Sequence, residues 1–197
     1  MAFRHVRGTL FGEYVRAIQS RNEIDWSRYL KRSDLGYLLD AIREDYWYPM
    51  AVYERLGLAI LASLAENDSA KNLAYAWGRT MVAQSPELAR DLVVNGDPRE
   101  TLMRLRIHRD AFFDFDAVQL PIVTDQDAQL RLRYCMSATA EELAAYQTLG
   151  FIEELIKRAG GRSFRSRFQE RAWEGASRSV LDLEWDFIPT LHPPTYA

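Results

Sequence analysis

The fold is decided by residues 130–185, which read LRLRYCMSATAEELAAYQTLGFIEELIKRAGGRSFRSRFQERAWEGASRSVLDLEW. At the start of this stretch, the apolar residues 130, 132, 134 and 136 alternate with Arg or Cys. That period-two pattern is typical of a strand with one buried face. Apolar residues then recur at helical spacing from Ala145 to Ala159, and Gly160-Gly161 ends the pattern. We therefore predict a strand followed by a helix that lies on the sheet.

The end of the stretch predicts a β-hairpin. Phe and Ser alternate with Arg and Gln over residues 164–171, and Leu and Trp alternate with Asp and Glu over residues 181–186. A two-residue type II′ turn at Gly175-Ala176 would join the two strands. The register that follows pairs Arg167 with Glu184, Arg165 with Asp186, and Phe168 with Leu183. A slip of one residue would place basic side chains against apolar ones, so the pattern itself selects a register.

The first half of the chain predicts helices. Asp97-Pro98-Arg99-Glu100 supplies a capping aspartate, an N1 proline and an N3 glutamate, which together favour a helix start. Trp47-Tyr48-Pro49 interrupts the pattern, and its proline suits the first turn of the following helix. We predict one α+β domain over residues 1–188, in which a mainly helical part (1–114) packs on a small antiparallel sheet with one helix (115–188). An extended tail, 189–197, follows.

Composition excludes several classes of protein. The 197 residues are 48% apolar and 27% charged, which is ordinary for a globular protein, and the net charge of −3 argues against a nucleic-acid or anionic-membrane binder. Cys135 is the single cysteine, which excludes a disulfide framework and a multi-cysteine zinc site. No apolar run is long enough for a membrane span, and the start lacks a signal peptide, so we predict a cytoplasmic location.

Catalytic motifs are missing from the sequence. It contains no glycine-rich phosphate loop and no Gly-x-Ser-x-Gly nucleophile elbow. Of the three histidines, His5 and His192 are close to the termini, which leaves His108 as the candidate for catalysis. Cys135 lies in the alternating pattern of a strand without an activating base, as expected of a structural cysteine. We therefore predict that the protein is not an enzyme and holds no metal.

Several motifs, in their order and spacing, resemble a family of roughly 200-residue proteins of unknown function found chiefly in myxobacteria. The matching features span nearly the whole chain. They are Gly8 and the helix after it, Trp47-Tyr48-Pro49 followed by Val52-Tyr53-Glu54-Arg55-Leu56, Gly78-Arg79, Gly96-Asp97-Pro98, and Phe112-Phe113-Asp114.

The second half of the chain also resembles the fold shared by haem-nitric-oxide-binding (H-NOX) sensors, vinyl-reductase-like (V4R) ligand domains, and a Golgi-transport subunit family that holds an acyl chain. This resemblance implies a helical cap over an antiparallel sheet, with a cavity, or the remnant of one, between them. V4R domains often bind zinc through cysteines near the final hairpin. Residues 174–177 contain no cysteine, so the resemblance implies no zinc here.

The haem motif of H-NOX sensors is incomplete in this sequence. Those sensors hold haem through a histidine on a helix before the sheet and through a Tyr-x-Ser-x-Arg motif that binds the propionates. In Tyr134-Cys135-Met136-Ser137-Ala138, Met136 and Ala138 stand where serine and arginine are required. His108 lies in the region of the ligating histidine, yet it equally fits a hydrogen-bonded residue on a helix face. We expect no haem, because its charged propionates would lack partners.

Aromatic residues give the candidate ligand-binding site. Together with one histidine, they would line an apolar cavity between the cap and the sheet. The candidate residues are Trp47, Trp77, His108, Phe112, Tyr134 and Phe168. The same aromatic side chains would also suit a densely packed core, so the sequence leaves both interpretations open.

Three functional hypotheses follow. The first is a non-enzymatic signalling or regulatory domain that binds a small hydrophobic ligand between cap and sheet, which predicts an enclosed pocket. The second is a ligand-free module for binding a protein partner or forming a homodimer, which predicts a filled interior and an exposed apolar patch that buries at least about 1,000 Å². The third is a haem-based gas sensor, which predicts a Soret absorption band that is lost in His108→Ala.

Overall fold

The computed structural model describes residues 4–64 and 69–187. Within these ranges the chain forms seven α-helices and two antiparallel sheets, which confirms the predicted α+β class. The helices are α1 (Gly8–Gln19), α2 (Arg32–Leu35), α3 (Met50–Leu64), α4 (Ala70–Gln84), α5 (Pro86–Leu92), α6 (Pro98–His108) and α7 (Ala138–Arg158). The strands are β1 (His5–Arg7), β2 (Trp47–Pro49), β3 (Val118–Val123), β4 (Asp127–Leu132), β5 (Arg162–Glu170) and β6 (Ser179–Asp186). The predicted tail at 189–197, with His192, lies outside the described residues.

The larger sheet has the strand order β3-β4-β6-β5, and every neighbouring pair is antiparallel. Its inner face buries apolar side chains of the two central strands, among them Leu130, Leu183 and Trp185. Ile152 and Ile156 of α7 belong to the same buried core, so the long helix covers this face as predicted. Each such side chain contributes about 1.5–3 kcal/mol when it leaves water, which makes this layer a main source of stability. None of the described helices is long and apolar enough to cross a lipid bilayer.

The predicted hairpin register is wrong by two residues, although the faces of both strands are as predicted. Arg165 lies opposite Glu184, and Phe168 lies opposite Leu181. The cause is the connection, which is longer than a two-residue turn. It contains a short 3₁₀ turn at Ala172–Glu174 and Gly175 at φ +101°, and the register shifts between Phe168 and Glu170. Because the shift is even, the basic row still meets the acidic row.

The charged face of the hairpin is solvated. The guanidinium of Arg165 lies 3.4 Å from carboxylate oxygens of both Glu184 and Asp186. All three side chains are more than half exposed, so the pairs specify the register more than they stabilise the sheet. This arrangement is the solvated sheet face that the alternating sequence predicts.

A second, two-stranded sheet was not predicted. Val6 of β1 pairs with Tyr48 of β2, so Trp47-Tyr48-Pro49 forms a strand and α3 begins one residue later than the proline. Val6 is fully buried and also bridges to Phe113. The backbone N–H of Arg7 donates to the carbonyl of Phe112 at 2.8 Å, so β1 links the first helices to the segment that precedes the larger sheet.

Helix starts are capped largely as predicted. The Asp97 carboxylate accepts a hydrogen bond from the Glu100 N–H at 2.8 Å, and Pro98 occupies the first turn of α6. Ser69 accepts from the Asn72 N–H at 3.2 Å at the start of α4. The neighbouring residues Asn67 and Asp68 lie outside the described residues. These caps satisfy N–H groups that a helix leaves without an internal partner.

The strand predicted to reach residue 136 ends at Leu132. Cys135 has φ +59°, a left-handed conformation that a strand cannot contain. The buried carboxylate of Glu141 holds the turn by accepting hydrogen bonds from the N–H groups of Tyr134 and Met136, at 3.3 and 3.0 Å. This glutamate in the first turn of α7 therefore fixes the path by which the chain enters the helix.

Helices α4 and α7 cross with their backbones in contact. A Cβ atom at Gly78 would overlap the carbonyl group of Gln147, and a Cβ atom at Gly150 would overlap the carbonyl group of Tyr75. Both glycines are buried. Only glycine permits this close approach, and it places the face of α7 around Gln147 directly beside α4.

Candidate ligand-binding site

A partly open cavity of about 110 Å³ is lined by residues of six helices, strand β3 and two connecting segments. Most of its walls are apolar, with Leu10, Leu61, Leu105, Phe113 and Val118 among the lining residues. A water molecule needs only about 10–15 Å³, and an engineered apolar cavity of about 150 Å³ binds benzene. The cavity therefore has the size and surface for a small apolar molecule.

One face of α7 supplies the longest wall of the cavity, and we call it the α7 stripe. It consists of residues 140, 143, 144, 147, 148, 151 and 152. Their spacing of three and four places all seven on one side of the helix. At 1.5 Å per residue the stripe is about 18 Å long. The cavity therefore lies along one side of α7.

A polar cluster interrupts the apolar walls. The Tyr14 hydroxyl donates a hydrogen bond to Oε1 of Gln147 at 2.6 Å, and Nε2 of Gln147 donates to the Met81 thioether at 3.1 Å. The ring of Tyr53 stacks on that of Tyr14, with 4.4 Å between the centroids. All four residues line the cavity, so its apolar interior carries a small number of hydrogen-bonding atoms at one place.

The hydroxyl groups of the cavity are neutral. Burial raises the pKa of Tyr14, and burial together with the neighbouring Tyr14 raises the pKa of Tyr53 well above its ordinary value. Burial also raises the pKa of Tyr134, whose hydroxyl lies 2.5 Å from that of Thr148. The three tyrosines therefore act as uncharged donors and acceptors throughout the physiological pH range.

Two charged side chains reach the lining, and each has a protein partner. Glu54 accepts hydrogen bonds from the N–H and hydroxyl of Ser137, at 3.0 and 2.6 Å. Arg109 lies 3.3 Å from a carboxylate oxygen of Asp110 and 3.6 Å from one of Asp116. Among the lining residues that the structure describes, no charge is left to hold an ionised ligand.

Two of the six predicted site residues, Phe112 and Tyr134, line the cavity. The other four do not. Trp47 is exposed on β2, His108 is exposed at the end of α6, and the half-buried Trp77 packs edge-on against Tyr14. Phe168 contacts Tyr146 and Trp173 on the sheet side of α7.

Sequence reasoning missed the polar cluster of Tyr14, Tyr53 and Gln147. A signal for it exists on α7, where Gln147 and Thr148 interrupt a helical face that is otherwise formed by Ala140, Ala144 and Phe151. A polar pair in the middle of an apolar helix face indicates a buried hydrogen-bond network or a ligand. Its partners on α1 and α3 are distant in sequence, so only the structure brings them together.

The residues present do not fit haem. His108 is exposed and does not line the cavity, and Met136 lines the wall where the H-NOX motif requires a propionate-binding serine. Ala138 offers no cation, and Arg109 is engaged by two aspartates. The cavity of about 110 Å³ is also below the ~300–1,000 Å³ of sites for drug-sized ligands. In the part of the chain that the structure describes, no group of three histidine, cysteine or acidic residues could hold a metal ion.

Comparison with known proteins supports the fold. No protein-family model matches the chain, and no curated protein matches its sequence, so the predicted kinship with a myxobacterial family stays a prediction. Solved H-NOX structures do match. An Fe(II) unliganded H-NOX protein from K. algicida is 11% identical with a TM-score of 0.60, and the alignment covers 94% of this chain and 100% of that one.

Two further H-NOX structures agree. An H-NOX protein from S. oneidensis in the Fe(II)NO ligation state is 10% identical with a TM-score of 0.60, covering 91% of this chain and 99% of that one. An oxygen-binding H-NOX domain related to soluble guanylate cyclases, in its oxygen complex, is 12% identical with a TM-score of 0.57, covering 95% and 98%. Identity this low establishes shape and carries no ligand with it. The chain therefore has an H-NOX-like fold over nearly its whole described length.

Proposed function

We propose that this chain is a non-enzymatic signalling or regulatory domain that binds a small hydrophobic molecule between its helical cap and its sheet. The observation that carries the proposal is the apolar cavity beside the α7 stripe, with one cluster of hydrogen-bonding atoms. Concave, mostly apolar sites with a few placed polar groups are the usual form of small-molecule sites. A ligand-free interaction module predicts a filled interior, so the cavity favours ligand binding over that alternative.

The position of the cavity couples ligand binding to another part of the fold, strand β1. Phe112 and Phe113 line the cavity, and the same two residues hold β1 through a backbone hydrogen bond and a bridge. A ligand that packs against these rings favours one arrangement of residues 112–113 and of the β1–β2 sheet over others. A ligand shifts such an equilibrium by its difference in affinity for the two states. A partner that responds to this change, either another protein or a second copy of this chain, stays a prediction. The cytoplasmic location also stays a prediction.

Filling the cavity tests the proposal. We expect Ala144→Phe, on the α7 stripe, to weaken the binding of pentane at least about tenfold, because the ring occupies the space that the ligand needs. The matched control is Ala83→Phe, which adds the same ring at an exposed position of α4 and should bind pentane like the original chain. The measurement is isothermal titration, with thermal unfolding to confirm that both variants fold.

Two outcomes would contradict the proposal. The first is equal pentane binding by Ala144→Phe and Ala83→Phe, which would place the bound pentane elsewhere on the molecule. The second is a Soret absorption band in the purified protein that disappears in His108→Ala. That band would restore the haem-sensor hypothesis, against the chemistry of the residues that line the cavity.

A further inference from the structure

Gln147 makes an unusually weak hydrogen bond inside the cavity. Its Oε1 has a strong partner in the Tyr14 hydroxyl, but its Nε2 donates to the thioether sulfur of Met81. Thioether sulfur is a weak acceptor, whereas a side-chain amide nitrogen is a good donor. Buried donors usually find an oxygen, because a poorly satisfied one costs free energy. An oxygen atom brought in by a ligand would therefore be a better partner for this amide than the one it has.

The charge of the ligand follows from the lining. Glu54 and Arg109 are both paired with protein groups, and the tyrosines beside Gln147 are neutral. An ionised head group in this cavity would lose its hydration without gaining a counter-charge, which is costly in an apolar interior. A neutral oxygen avoids that cost.

We propose that the ligand is a small, uncharged, mainly aliphatic molecule with one hydrogen-bond-accepting oxygen, such as an alcohol or a ketone. Its oxygen accepts from Nε2 of Gln147 in place of the Met81 thioether, while its chain lies along the α7 stripe. This inference rests on the proposed function and specifies the chemistry of the same cavity. Gln147 thereby becomes the residue that selects a polar head group.

Four probes with the same number of carbon atoms test the inference on the full chain: pentane, pentanol, pentanoate and pentylamine. We expect pentanol to bind about threefold to tenfold more tightly than pentane, because its oxygen replaces the weak thioether acceptor with a good one. Pentanoate and pentylamine, both ionised at neutral pH, should bind no more tightly than pentane. Dissociation constants from isothermal titration give the ranking.

Two variants assign the preference to the amide. Gln147→Met keeps the approximate volume and removes the amide donor, so the advantage of pentanol over pentane should disappear. The matched control, Met81→Leu, removes the thioether and keeps the amide, so the advantage should persist or increase. Exchange between leucine and methionine is among the best tolerated core substitutions. The ranking of the four probes on the original chain decides the inference even if Gln147→Met does not fold.

The failures are distinguishable. If pentane and pentanol bind equally, the proposed function stands and the head-group inference is wrong. Tighter binding of pentanoate or pentylamine than of pentanol would show an ionic site and overturn the inference as well. Loss of the pentanol preference in Met81→Leu, or its survival in Gln147→Met, would show that the Gln147 amide does not bind the oxygen of the ligand. If none of the four probes binds, both the inference and the proposed function fail.

Discussion

Gly78→Ala is expected to lower the free energy of unfolding by about 3 kcal/mol, the upper part of the range for overpacked cores. The added methyl group would overlap the backbone carbonyl of Gln147, and a backbone group in the middle of a helix cannot rotate away. Helices α4 and α7 would have to separate, which exposes apolar surface and displaces Gln147 from Tyr14. Urea unfolding of the purified variant measures the loss.

The matched control is Gly36→Ala. Gly36 has φ −58°, and a Cβ atom there meets nothing within 4 Å. Alanine at such a position is neutral or stabilising by up to about 1 kcal/mol, because it restricts the unfolded chain. Similar unfolding free energies for the two variants would mean that the α4–α7 crossing is looser than the structure has it.

Arg55→Met should cost about 3–5 kcal/mol at neutral pH, because it leaves a buried carboxylate without its partner. Asp34 is 1% exposed, and its two oxygens accept from Nε and Nη2 of Arg55 at 2.6 and 2.7 Å. This bidentate pair joins the short helix α2 to α3. The control is Arg90→Met, which removes an exposed pair with Asp91 and should change stability by at most about 1 kcal/mol.

The contribution of Asp34 to the pH dependence of stability should have opposite signs in the original chain and in Arg55→Met. In the original chain, hydrogen bonds from Arg55 hold the pKa of Asp34 below its ordinary value. Asp34 therefore stabilises the fold fully above the unfolded pKa of about 3.9, and this stability is lost as the pH falls through the folded pKa. In Arg55→Met, burial without a cation raises the pKa of Asp34, so the variant loses stability as the pH rises.

Unfolding free energies measured between pH 3 and pH 7 check this behaviour. The difference between Arg55→Met and the original chain should be largest at pH 7 and shrink towards pH 3. A difference that stays constant across this range would show that Arg55 acts through packing of its aliphatic part, and that the charge on Asp34 contributes little.

Local sequence patterns predicted the elements that are long and periodic. Helix α7 has apolar residues on one face over many turns, and α6 carries its cap in four consecutive residues. The alternation on β5 and β6 gave the correct faces, because side-chain parity is a local property of a strand. The register depends on the number of residues in the connection between β5 and β6. That connection contains a 3₁₀ turn, which Gly175 alone did not indicate.

Other features depend on contacts between distant residues. β1 and β2 have three residues each, too few to show a period, and they pair across about 40 residues of chain. The end of β4 is set by Glu141, whose carboxylate reaches back to the N–H groups on either side of Cys135. The cavity joins Tyr14, Met81 and Gln147 from three helices. A cavity is a property of how helices meet, so the composition of each helix alone could not predict it.

The most direct test of the central claim is a nuclear Overhauser measurement on methyl-labelled protein with bound pentanol. We expect cross-peaks from the pentanol chain to the methyl groups of Leu61, Leu143 and Ala144, which line the cavity. Cross-peaks confined to the exposed side chains of Leu39 or Ile107 would contradict that claim. They would show that pentanol binds the outer surface and that the interior does not admit a ligand.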